Sequence, residues 1–180
     1  MAIARSAARY EGSVRLILHA FKYGGCRLLA APLAALMRTA AEDWLHDADA
    51  VVPVPLHPLR AWRRGFNQAD DLARHLGVPV WRALRRARHG PPQAGLPAAQ
   101  RHANVRAAFA VRRGPPAWRL RNRVVVLVDD VMTTGATLEA CAAVLRDSGV
   151  RSVSALTVAR AAATRPEALA PIPRPSTPRR

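Results

Sequence analysis

At 180 residues the chain is about one domain long, a size that buries roughly 70% of the surface the unfolded chain exposes. With 50% apolar against 22% charged residues, its composition is that of a globular chain and excludes disorder for most of its length. The longest apolar run, Leu28 to Met37, contains Pro32 and falls far short of the ~20 residues a membrane span requires. The first ten residues lack the apolar core and small-residue cleavage site of a secretion signal, so a cytoplasmic location is expected. Cys26 and Cys141 belong to no CxxC pair, which removes zinc ribbons and redox motifs and leaves no zinc to expect. Basic residues outnumber acidic ones 28 to 12, a net charge of +16, and Lys22 is the sole lysine. Arginine is the side chain suited to bidentate phosphate binding. Between His57 and Arg123 fifteen arginines accompany only two acids, Asp70 and Asp71, so the middle of the chain should attract polyanions.

In chain order, Val14, Ile17, Leu18 and Phe21 recur at helical spacing, and a second apolar stretch from Leu28 to Leu45 follows Gly24 and Gly25, which predicts two N-terminal helices. Ala50 to Val54 reads as a buried strand that ends in the proline-punctuated loop PLHPLR. Phe66 to Leu76 reads as a helix capped by Asn67 and stopped by Gly77, with a short strand at Val78 to Trp81. Arg82 to Ala107 is arginine-rich and broken by glycines and prolines, the pattern of a long mobile loop or lid. A strand at Ala108 to Val111, a strong strand at Arg123 to Val128, a helix at Thr137 to Leu145 and a strand at Val153 to Val158 complete the order. Alternating strands and helices with near-continuous Val/Leu runs imply a parallel α/β sheet covered on both faces. The expected organisation is a helical segment over 1–48, an α/β core over 49–160 and an extended Pro/Arg-rich tail over 161–180.

The chemistry is concentrated in VVVLVDDVMTTGAT, Val124 to Thr137: a buried strand, two acids at its carboxyl end, then a hydroxyl-and-glycine loop that opens a helix. Open α/β sheets bind ligands at such a place. Thr133 to Thr137 can offer backbone N–H groups and hydroxyls to one phosphate, with Gly135 allowing close approach, while Asp129 and Asp130 can accept hydrogen bonds from the vicinal hydroxyls of a sugar. A helix cap is the structural alternative for the two acids. A P-loop is excluded because the only lysine does not follow glycine, and no GxGxxG is present.

The hhhhDDxxTTGxT pattern resembles the signature of type I phosphoribosyltransferases, which bind phosphoribosyl pyrophosphate (PRPP). FKYGG at 21–25, VPVPLHPLR at 52–60, RGFNQA at 64–69 and QRHANVRAAF at 100–109 look like the ComF group of that family. The resemblance implies the parallel-sheet type I phosphoribosyltransferase fold with N-terminal helices and a flexible flap around Gln93, Arg101 and Asn104. It implies that Thr133, Thr134, Gly135, Ala136 and Thr137 hold the 5′-phosphate and that Asp129 and Asp130 face the ribose at the reaction centre. The loop Pro55 to Arg60 would meet the pyrophosphate with Mg²⁺ bound through it, and Arg60 and Arg64 would stabilise that leaving group. Glycosyl transfer with release of pyrophosphate is the expected activity. The alternative is a competence accessory that binds single-stranded DNA and uses the PRPP site for sensing. The four-cysteine zinc ribbon usual in the ComF group is absent from this sequence, and Gly90 stands where the flap commonly has threonine. The acceptor is unspecified, and a homodimer is left open.

Overall fold

The computed structural model describes residues 3–87, 108–113 and 119–162. Its centre is a four-stranded parallel sheet in the order β1 (Ile3–Arg9), β6 (Ser152–Arg160), β5 (Val124–Met132), β2 (Ala50–Pro53). Val80 adds a parallel bridge to Val51 at the β2 edge. β5 sits in the middle because its run of valines and leucine can be buried on both faces. Val125 and Leu127 pack with Val52, Val153 and Ala155 on one face, whereas Val126 and Val128 pack with Val51, Leu156 and Val158 on the other.

The first face is covered by α6 (Ala136–Asp147), through Leu138, Cys141 and Leu145, and by an antiparallel hairpin of β3 (Leu84–Arg86) with β4 (Phe109–Val111). The second is covered by α1 (Gly12–Tyr23), α2 (Ala30–Ala40), α3 (Glu42–Asp47) and α5 (Gln68–Ala73), with Phe21, Leu18, Met37 and Leu72 at its centre. α4 (Pro58–Arg64) lies between β2 and α5 in the chain. Among the described residues no helix is long and apolar enough to cross a membrane.

Several elements differ from the sequence reading. Ile3–Arg9 is a strand at the start of the segment expected to be helical, and its place comes from pairing with β6, reinforced by a 2.7 Å hydrogen bond between the hydroxyls of Ser6 and Thr157. The stretch Leu28–Leu45 is divided into α2 and α3 at Ala41. PLHPLR is not all loop, because Pro58 opens α4, and the loop expected from Arg82 begins with strand β3. Thr164 onward, most of the expected loop and the flap residues Gln93, Arg101 and Asn104 lie outside the described residues.

Candidate functional site

A cavity of about 320 Å³ opens at the carboxyl ends of β2 and β5. Asp129, Asp130, Thr133, Thr137, Arg60 and Arg64 all line it, so residues from two separate stretches of sequence meet in one place. Thr134, Gly135 and Ala136 form the adjoining turn. There Gly135 holds φ +80° as the residue before α6, a conformation that favours glycine, and Thr134 Oγ1 accepts a hydrogen bond from the Ala136 N–H at 3.4 Å. The turn brings the N-terminus of a 12-residue helix, the positive end of its dipole, beside the cavity, which Thr137 lines.

β5 runs through both acids to Met132, so strand alternation sends Asp129 and Asp130 to opposite faces. Asp130, on the α1 side, is paired with Lys22 Nζ at 3.2 Å; the two side chains are 13% and 14% exposed. Asp129, on the α6 side, has no ion pair among the described residues and accepts one hydrogen bond, from the Asp130 N–H at 2.9 Å. Burial, and then the neighbouring Asp130 charge, push its carboxyl up to about 7. Beneath it, burial also raises the Cys141 thiol, so that this cysteine is an inert core residue.

The other rim is built by α4 and α5. His57 accepts the Leu59 N–H at its Nδ1, 3.3 Å away, which makes it a cap for α4 and sets its proton on Nε2 in the neutral ring. Arg64 donates to Gln68 Oε1 at 3.0 Å and to the Tyr23 hydroxyl at 2.9 Å, and its guanidinium lies 4.7 Å from the Tyr23 ring centre. Asn67 caps α5 as expected, accepting from Ala69 N at 3.2 Å, and its amide donates to the Val54 carbonyl at 3.0 Å, which ties the helix start to the end of β2. Tyr10, Lys22, Gln68 and Arg86 also line the cavity, and the sequence reading assigned none of them to the site. Arg86 lies far in sequence from the Thr133–Thr137 loop; it is carried to the cavity on β3, which pairs with β4.

A second cavity of about 510 Å³ lies between the Gly24–Leu28 connection and α5, and shares no lining residue with the first. Its principal charges are already matched, Arg27 binding Asp71 through two bonds of 2.7 and 2.8 Å.

A family model described as the phosphoribosyl transferase domain matches residues 33–173. The chain belongs to the phosphoribosyltransferase-domain family. Competence protein F of Haemophilus influenzae is 35% identical over 162 residues, covering 84% of this chain and 70% of that protein. DNA utilization protein YhgH of Escherichia coli O157:H7 is 31% identical, with 82% and 67% covered, and competence protein ComFC of Bacillus subtilis is 29% identical, with 87% and 63% covered. These relatives make it a ComF-type member of the family. Among solved structures, the purine phosphoribosyltransferase of Pyrococcus horikoshii aligns over 86% of this chain and 96% of its own at 16% identity and a TM-score of 0.41. The allosteric regulatory enzyme of purine biosynthesis aligns at 22% identity and a TM-score of 0.46; the chain covers 72% of its own length in that match but spans only 26% of that structure. The α/β type I phosphoribosyltransferase fold expected from the sequence is the fold observed.

Proposed function

We propose that this protein binds PRPP in the 320 Å³ cavity and transfers its phosphoribosyl group with release of pyrophosphate. The observation that carries the reading is the meeting, in that one cavity, of the Thr133/Thr137 loop, the two acids and the two arginines. The α6 N-terminus and the threonine hydroxyls are assigned to the 5′-phosphate, which needs several donors and a positive dipole. Asp129 and Asp130 are assigned to the ribose hydroxyls. In the reaction the C1–O bond to pyrophosphate breaks with its electron pair leaving on the pyrophosphate, and C1 bonds to the nucleophilic atom of the acceptor, whose proton passes to solvent. Arg60 and Arg64 offset the charge that gathers on the leaving group, and the acids face the positive charge on the sugar.

Among the described residues no group of three His, Cys, Asp or Glu side chains forms a protein cage for a metal. The two carboxylates on the cavity, Asp129 and Asp130, fit a Mg²⁺ that enters on pyrophosphate oxygens, since Mg²⁺ favours substrate phosphates with one or two carboxylates. When bound it would neutralise the departing charge. Calorimetric titration of the full chain with PRPP and Mg²⁺ tests the reading: saturable binding at one site is expected, and no binding at millimolar PRPP would sink it.

The names of the competence and DNA utilization relatives, with the net charge of +16, support a second reading in which the same PRPP site serves a protein that binds single-stranded DNA. Filter binding of oligonucleotides across a salt series separates the two. A steep, sequence-tolerant salt dependence, near −0.7 in log–log slope per neutralised phosphate, supports the accessory role.

A further inference from the structure

Among the described residues two buried side-chain nitrogens lack a hydrogen-bond partner, Gln68 Nε2 and Arg86 Nε, and both residues line the candidate cavity. Folded proteins seldom leave such groups unpaired, because an unpaired buried donor carries its full desolvation cost. Gln68 is 1% exposed, and its orientation is decided by chemistry. Its Oε1 accepts from Arg64 at 3.0 Å, and a guanidinium has donors only, so the amide nitrogen must be the free end. The helix that carries it is fixed at its first turn by the Asn67 cap. Arg86 is held just as firmly: its guanidinium lies 4.8 Å from the centre of the Phe109 ring, the residue opposite it in the β3–β4 register.

Arg86 and Arg60 line the same cavity, and neither forms an ion pair among the described residues. Burial and the nearby Arg60 charge work against the charged form of Arg86, while Cys141 and Asp129, the latter on the same cavity, favour it. Two like charges and a neutral donor around one space complement a ligand group that carries more than one linked anion. Gln68 adjoins Arg64, and Arg86 adjoins Arg60, the arginines assigned above to pyrophosphate. We propose that Gln68 and Arg86 grip the diphosphate arm of the ligand and thereby select a sugar 1-diphosphate over a sugar monophosphate. The inference rests on the PRPP reading.

The test is calorimetry on the full chain with PRPP and Mg²⁺, with inorganic pyrophosphate and Mg²⁺, and with ribose 5-phosphate. Arg86→Gln and Gln68→Met are each expected to lose roughly tenfold or more in affinity for PRPP and pyrophosphate, and less than about twofold for ribose 5-phosphate. Gln68→Glu, which keeps the acceptor for Arg64 but replaces the donor with a negative charge, should lose at least as much as Gln68→Met and stands in for it if that variant misfolds. The ligand-free melting temperature of Arg86→Gln should equal or exceed that of the wild type, since an unmatched cation is removed; a purely structural arginine would give a drop. Equal losses for PRPP and ribose 5-phosphate, or unchanged PRPP affinity, overturn the inference while the PRPP reading stands. Wild type that binds neither PRPP nor pyrophosphate overturns both.

Discussion

Replacing Asp129 by asparagine should make the ligand-free protein more stable at alkaline pH and leave it unchanged in acid. The carboxyl is pushed from 3.8 to about 7, first by burial near the carboxyl end of β5 and then by the Asp130 charge, while Lys22 spends its attraction mainly on Asp130 at 3.2 Å. A raised carboxyl pKa means that the folded state holds a proton the unfolded chain has released. Stability linked to that proton is therefore fully present below pH 3.8 and drains away as the pH rises to about 7. A rise of about three pH units corresponds to roughly 4 kcal/mol, which is the most that wild type should lose relative to Asp129→Asn across this window. Asparagine retains an oxygen to accept the Asp130 N–H, so the hydrogen bond at 2.9 Å survives the change. Urea denaturation of both proteins at intervals from pH 4 to 8.5 measures the difference directly, with the opposite contribution of Asp49, whose carboxyl is lowered by the Val124 N–H and Arg123, cancelling between them. Two stability curves that run parallel over this range would refute the reasoning. If Asp129 accepts from ribose hydroxyls as proposed, PRPP affinity measured by calorimetry should fall below neutrality, because a protonated carboxyl is a poorer acceptor.

Lys22→Met should cost about 2 kcal/mol, between the values typical of exposed and of fully buried pairs, and should push the Asp129 titration to still higher pH; urea melts and carboxyl NMR titration read the two effects. Gly135→Ala should cost about 1–2 kcal/mol through its φ of +80° and not through a clash, because an added Cβ would meet only Met132 Sδ at 3.8 Å, and should weaken PRPP in calorimetry beyond that loss. With a thiol reagent, Cys26 should react at once and Cys141 only after denaturation, since the first is exposed and the second buried; two fast thiols would mean that the α6 face opens readily. Asp130→Asn should weaken PRPP more than inorganic phosphate while circular dichroism stays unchanged, whereas equal losses would make the acids a structural cap.

What could be read from the sequence was what the chain builds from neighbouring residues. The strand, acids, turn and helix of Val124–Thr137 are contiguous, so local hydrophobic pattern and one glycine suffice to specify them, and Asn67 announces its helix in the same way. β1 could not be read, because IARSAAR has a single strong strand former and owes its conformation to the β6 backbone beside it. The short β3 likewise exists through its ladder with β4, contributed from beyond a long stretch of chain. Lys22 and Arg86 share this dependence: each is an ordinary basic residue in its own segment and acquires a role only where topology sets it against Asp130 or into the cavity. Such residues explain why the motif alone does not determine the chemistry of its acids. Two adjacent aspartates on one strand differ because one meets a lysine from α1 and the other meets the buried side of α6, where burial pushes the Asp129 carboxyl up to about 7.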